Sequence, residues 1–154
     1  MLIRILIGTI IFGFIVYAFY LSIQRKKTED LRMIVIAKLN TYGKVFEENR
    51  KQFFQTQKET YQLLFFNIAA NSELTINSRT IWEIRDASKP HLVDQTAFLS
   101  SLSPKLVILY PISTKIKRYI NENEMVFIKP SDRFYEMHVV KHFELDALLK
   151  ENIL

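Results

Sequence analysis

The sequence ILIGTIIFGFIVYAFYLSI, residues 5–23, decides the predicted fold because it carries no charge over nineteen positions. Twelve of the nineteen are Leu, Ile, Val or Phe. As a helix the segment would be about 28 Å long, close to the ~30 Å hydrocarbon core of a bilayer. The pattern predicts a single-pass transmembrane helix of the signal-anchor type, with residues 1–27 forming the anchor and its basic flank. A cleaved signal peptide is the alternative, but its apolar region would be shorter and end at small residues.

Aromatic and basic residues at the two ends of this segment are typical of membrane interfaces. The positive-inside rule places the larger C-terminal part in the cytoplasm, because most bases near the segment follow it. The opposite orientation stays open, since a short N-terminus with one arginine is also compatible with it. The predicted interface residues are Arg4, Tyr17, Tyr20, Arg25, Lys26 and Lys27.

The net charge of +5 is concentrated near the N-terminus. Residues 1–27 contain four bases and no acid, residues 28–71 six bases and five acids, and residues 72–154 eleven of each. A C-terminal part without net charge lacks the electrostatic signature of a nucleic-acid-binding domain. The chain has no cysteine, which excludes disulfides and thiolate metal sites.

Residues 28–71 are predicted to form a long amphipathic stalk helix. Apolar side chains recur at steps of mostly three or four, and a helix so long would need a partner to cover that stripe, as in a coiled coil. Gly43 leaves open whether the stalk is one helix or two. Other protein subunits, or a second copy of the chain, are the expected partners. The partner-binding candidates are Leu39, Tyr42, Phe46, Phe53, Leu64, Phe65 and Ile68.

Residues 72–154 are predicted to form a small α+β domain of about 80 residues. Strands are expected at 80–85, 105–110, 125–129 and 133–140, with the last two joined as a hairpin. Helices are expected at 91–102 and 143–154, while residues 112–120 are ambiguous between the two. The order is roughly β-α-β-x-β-β-α. The fold class is therefore α+β, with a transmembrane helix and a stalk before the domain.

No catalytic signature is present. Glycine is absent after Gly43, which excludes the usual phosphate-binding loop and nucleophile elbow. His138 and His142 have the spacing of two zinc ligands on a helix, but the residues around His138 alternate as in a strand. Two histidines four residues apart on a strand lie about 13 Å apart, too far for one metal. We therefore expect no metal, no cofactor and no enzymatic activity.

Together these features predict a non-catalytic structural or assembly subunit of a larger membrane protein complex. The alternative is a membrane-tethered sensory or adaptor protein whose distal domain binds a ligand or protein. Contacts with protein subunits and lipid are expected in both, and contact with nucleic acid in neither.

Overall fold

The computed structural model describes residues 2–69, 71–86, 89–110, 115–151 and 154, apart from the side chains of residues 2–6, 8 and 9. The chain divides into two compact units, of which the first ends at Ile34 and the second is Val35–Leu154. The described residues form three helices and ten strands. Their bounds are α1 Leu2–Leu39, β1 Lys44–Glu48, β2 Lys51–Gln55, β3 Thr60–Asn67, β4 Glu73–Ile76, β5 Ile81–Arg85, β6 Pro90–Asp94, α2 Thr96–Leu99, β7 Lys105–Tyr110, β8 Lys115–Asn121, β9 Glu124–Phe127, β10 Met137–Lys141 and α3 Leu145–Lys150.

Strands of two β-sheets are the main elements of the described chain after α1, which makes the predicted fold class of stalk helix and α+β domain wrong. The helical pattern holds only as far as Leu39, after which Gly43 precedes the first strand. Because no long helix follows Leu39 in the described residues, the predicted coiled coil is also wrong. The run YQLLFF on β3 is buried from both sides, and a strand of this kind reads as a continuous apolar stretch without clear alternation.

The predicted transmembrane segment lies in α1. Within the part of the chain that the structure describes, no helix is long and apolar enough to cross a membrane. This finding overturns the predicted signal-anchor, the single-pass localisation and the orientation derived from it.

The second unit contains two mixed sheets of five strands each among the described residues. The first sheet has the order β1-β2-β3-β7-β10, with β3, β7 and β10 parallel. The second has the order β6-β5-β4-β8-β9, in which β4 and β8 are parallel. Strands β3 and β7 pair in the first sheet, and the next strands along the chain, β4 and β8, pair in the second. Each sheet therefore contains a parallel pair, and the two pairs are formed by consecutive strands of the chain.

Strand β7 lies in the middle of the second unit and contributes to both cores. Leu106 and Ile108 pack with the C-terminal end of α1 and with α3 on one face of the first sheet. Val107 and Leu109 point the other way and pack between the two sheets, in a core that includes Trp82. All six residues of KLVILY are buried, as expected of a central parallel strand. The prediction of a strand at 105–110 is confirmed.

The C-terminal part was predicted correctly in several elements and wrongly in their arrangement. Strands were expected where β5, β9 and β10 occur, and a helix where α3 occurs. The predicted helix at 91–102 is instead strand β6 followed by the one-turn α2. The predicted hairpin of the last two strands is also wrong, since β9 pairs with β8 and β10 pairs with β7 in the other sheet. Of the ambiguous segment, residues 115–120 belong to β8, and residues 112–114 lie outside the described residues.

Candidate functional site

Four of the residues predicted to bind partners lie inside the second unit. Leu39 is 0% exposed beside α3, and Ile68 is 2% exposed between the sheets. Leu64 and Phe65 are neighbours on β3 and pack partly buried against opposite faces of the first sheet. The apolar character of these four side chains serves the two cores.

The other three lie nearer the surface. Tyr42 is exposed in the turn after α1. Phe46 and Phe53 face each other across the β1–β2 hairpin, and their ring centroids are 5.5 Å apart in a stacked geometry. Contact of this hairpin with a partner stays a prediction.

Helix α1 carries the largest group of exposed apolar side chains in the described chain. Every described residue from 10 to 23 is exposed, and Phe12, Phe14 and Phe19 are each about two-thirds exposed. With 3.6 residues per turn, Phe12 and Phe14 point in nearly opposite directions. The apolar surface therefore surrounds the helix.

Two tyrosines lie within this surface, and three basic residues follow its C-terminal end. Tyr17 and Tyr20 are exposed within it, and Arg25, Lys26 and Lys27 are exposed directly after it. The side chain of Arg4 lies outside the described residues.

A buried lysine occupies the start of β7. Lys105 is 2% exposed, and its Nζ donates hydrogen bonds to the backbone oxygens of Ser101 at 3.0 Å and Ser103 at 2.5 Å. The Ser101 hydroxyl lies 2.5 Å from the same nitrogen and donates to Gln62 Oε1 at 2.6 Å. The Phe98 ring lies 5.6 Å from Nζ. Helix α2 and the turn after it thus place oxygen acceptors and an aromatic face around the amine.

The charge of this lysine is not neutralised by any acid among the described residues. Burial, together with the positive charges of Lys51 and Arg79, lowers the pKa of Lys105 to about 8. A lysine with a pKa in this range is neutral in about one molecule in ten at pH 7, and the neutral form can act as a base. Lys105 was not among the residues for which the sequence predicted a function. The only sequence signal for a special lysine is its position: it follows a Ser-x-Ser-Pro turn and begins a strand whose other residues are apolar.

A second polar cluster surrounds His138 on β10. His138 is 2% exposed, its ring contacts Tyr61 edge-on, and its Nδ1 has no hydrogen-bond partner among the described residues. Burial lowers the pKa of His138, and hydrogen bonds with the backbone of Pro130 and Asp132 oppose that shift. A neutral imidazole is therefore the form that this core accommodates.

Acidic and basic side chains beside this histidine are paired with one another. Glu59 accepts hydrogen bonds from Tyr61 and, at 3.0 Å, from Arg133, and both lower the pKa of Glu59. Burial and the contact with Glu59 raise the pKa of Tyr61 to about 12. Arg133 also donates to Glu136 at 2.6 Å. The cluster is a network of ion pairs at the surface, next to the buried ring of His138.

Strand β10 determines where the two histidines of the H-x-x-x-H spacing lie. His138 lies on β10 as expected of a strand, and His142 follows the end of that strand. In the described part of the chain, no group of three or more His, Cys, Asp or Glu residues is arranged to hold a metal ion.

A shallow groove of about 480 Å³ lies at the β8–β9 turn. Tyr135 lines it with a positive φ of 50°, and the following Glu136 has a φ of 59°. Positive φ is uncommon for a bulky residue, and such strain is often found at binding sites. The other lining residues are Asn77, Tyr119, Ile120, Asn121 and Glu122.

Comparison with known proteins found no match to this chain among protein-family models, curated proteins or solved structures.

Proposed function

We propose that this chain is a structural subunit of a larger protein assembly and that helix α1 binds apolar helices of other subunits. The observation that supports the proposal is the apolar surface around α1, from residue 10 to residue 23. Exposed apolar patches of this kind are typical of interaction surfaces. Because the surface surrounds the helix, one flat partner would leave half of it uncovered, and a bundle of several helices covers it better.

The charges at the end of the surface define the partner further. Residues 1–27 contain four bases and no acid, and three of those bases form the exposed cluster Arg25–Lys26–Lys27. A partner helix that packs along residues 10–23 would place its own next turn beside these charges. We therefore expect the partners to combine an apolar stretch with acidic residues at one end.

The test compares two triple variants of the full chain, isolated from its native cells under mild conditions. Phe12, Phe14 and Phe19 are changed to Ser in the first variant. The matched control changes exposed apolar residues of the second unit, Leu92, Leu102 and Phe127, to Ser. The first variant should lose its co-purifying subunits, and the control should keep them.

Crosslinking tests the position of the contact, because the chain has no cysteine of its own. A single cysteine at position 12 should form crosslinks to another subunit, and one at position 92 should not. Retention of every partner by the α1 variant, or an unmodified chain that is a monomer under the mildest extraction, would contradict the proposal. A measurement of Trp82 fluorescence checks that both variants keep the core of the second unit.

The groove at the β8–β9 turn supports a second candidate function, an adaptor that binds a small polar ligand. The strained Tyr135 and the amide and carboxylate groups of the lining are the specific observation. A screen of small polar compounds by nuclear magnetic resonance would test it. Shifts confined to residues 119–122 and 135 are expected, and shifts elsewhere or none at all would remove this candidate.

A further inference from the structure

Ser101 and Lys105 form a hydrogen-bonded pair whose two members differ in exposure. Lys105 Nζ is 2.5 Å from Ser101 Oγ, the lysine is 2% exposed, and the serine is only half-buried. The turn that carries the serine lies at the surface, since Leu102, the next residue, is 99% exposed. A hydroxyl of a half-buried residue is thus held against a buried amine.

The hydrogen bonds around Nζ are compatible with both protonation states of the amine. As an ammonium group, Lys105 donates to the two backbone oxygens and to Ser101 Oγ, and the serine proton points to Gln62. As a neutral amine, it still donates to both backbone oxygens, and its lone pair is directed at the Ser101 hydroxyl. Loss of one proton therefore converts the amine into a base positioned for the serine, without any movement of heavy atoms.

We propose that Ser101 is a nucleophile and Lys105 its general base, in a site that transfers or hydrolyses acyl groups. The geometry of a serine activated by a lysine is a known variant of nucleophilic catalysis. The serine rather than the lysine is the attacking group because the serine is the more exposed of the two residues. The inference concerns the second unit, is independent of the structural role of α1, and departs from the expectation that the chain has no enzymatic activity.

The reaction balances with an ester as the only reactant besides water. Ser101 Oγ bonds to the acyl carbon while its proton moves to Lys105 Nζ. The bond between the acyl carbon and the alcohol oxygen then breaks, and the lysine returns the proton to that oxygen. Water attacks the acyl-serine with Lys105 again as base, which releases a carboxylic acid and restores both residues.

The surrounding charges select the class of ester. Lys51 and Arg79 are the positive groups whose field acts on Lys105, and an acid that neutralises the lysine is lacking among the residues described. A positive field stabilises the oxyanion that forms at the acyl carbon, and it favours substrates that carry a negative charge of their own. The expected substrates are therefore esters of acids with a second, ionised carboxylate.

The first experiment measures which serine of the full chain reacts with a fluorophosphonate probe. Mass spectrometry of the digested protein should find the label on Ser101, and the S101A variant should carry none at this turn. Ser100 and Ser103 flank the site and provide matched controls: S100A and S103A should react at the unmodified rate, because the serine at 103 contacts the lysine only through its backbone oxygen. Equal labelling of the three serines would overturn the proposal.

The second experiment separates catalysis from structure by the pH profile. Labelling of Ser101 should rise with pH with a midpoint near the lysine pKa of about 8. The K105M variant should react about 10²–10⁴-fold more slowly, the usual contribution of a general base. If K105M does not fold, the profile of the unmodified chain still decides, since a flat profile between pH 6 and 10 would refute the role of the lysine.

The third experiment tests the ester class with two p-nitrophenyl esters, the neutral acetate and the anionic hemisuccinate. The hemisuccinate should acylate Ser101 faster, and R79E should reduce or reverse that preference, measured as the ratio of the two rates because any effect of the variant on Lys105 or on the oxyanion acts on both esters. Equal rates for the two esters would refute the assignment of anionic substrates. Retention of every partner by the α1 variant, which would contradict the first proposal, would leave these outcomes untouched, so the two proposals fail separately.

Discussion

Replacement of Gly43 by Ala tests the tight approach between the turn after α1 and the first sheet. A Cβ at position 43 would lie 2.2 Å from the backbone oxygen of Gln55 and 2.8 Å from Cε2 of Phe54. Gln55 pairs with Lys44, so the obstructing oxygen belongs to the β1–β2 ladder and cannot turn away as a side chain would. Phe54 is 0% exposed and has little space to move.

The expected cost follows from these two contacts. Nonbonded heavy atoms attract at about 3.5–4.0 Å, so the new methyl group must displace the end of β2 or shift the turn. Overpacking of this kind typically costs about 1–3 kcal/mol of unfolding free energy. With a urea dependence of about 1–3 kcal/mol per M, a loss of 2 kcal/mol lowers the unfolding midpoint by roughly 1 M.

The assay is urea unfolding of the full chain followed by the fluorescence of Trp82, which is the only tryptophan and is 0% exposed. The control is Gly13→Ala, because nothing lies within 4 Å of a Cβ at that position on α1. The control should leave the Trp82 transition unchanged. A G43A midpoint within about 0.2 M of the unmodified protein, a change below 1 kcal/mol, would refute the predicted close approach.

Three further predictions concern the cores and the buried titrating groups. Ile108→Ala should cost about 2–5 kcal/mol of unfolding free energy in the same urea assay, because the side chain is 0% exposed in the core beside α1 and α3; a cost under 1 kcal/mol would contradict the packing. Burial lowers the pKa of His138 in the folded chain, so on acidification the histidine binds a proton in the unfolded chain at a higher pH than in the folded chain. The free energy of unfolding should therefore fall as pH drops below the ordinary histidine pKa of about 6.5. His138→Phe should flatten that part of the stability profile, and an unchanged slope would refute it. Because the pKa of Lys105 is lowered from 10.5 to about 8, folding should become more favourable as pH rises from 8 to 10.5, and Lys105→Met should remove that gain relative to the unmodified chain.

Periodicity misled the prediction for residues 40–67 because apolar spacing by threes and fours also arises by chance in a buried strand. Tyr61 and Leu63 face the core beside the helices, while Leu64 and Phe66 face the second sheet. A strand buried on both sides has no polar face, so alternation, the main strand signal, is missing. The turn at Asn49 and Arg50, with φ values of 50° and 62°, joins β1 to β2, and only Asn49 is a residue type that commonly adopts positive φ in such a turn.

The candidate sites differ in how far a sequence alone can predict them. The apolar surface of α1 could be predicted from composition, because a helix whose residues are apolar on every side has such a surface whatever the rest of the chain does. The pair formed by Ser101 and Lys105 could not, since lysines are common and their usual position is solvated. Its distinguishing property is burial without a counter-charge, which depends on α2 and the neighbouring strand β3 packing around it.

The sequence by itself determined the local structures that depend on neighbouring residues: the helical start, the strand KLVILY between two prolines, the strands at β5, β9 and β10, and the helix near the C-terminus. It also excluded disulfides and glycine-based phosphate loops through composition alone. Only the tertiary structure decided which strands pair. The prediction that joined the last two strands as a hairpin relied on their proximity in the chain, but β10 pairs with β7. In this position Val139 and Val140 are buried on opposite faces of the first sheet. This pairing removes more apolar surface from water than an exposed hairpin would.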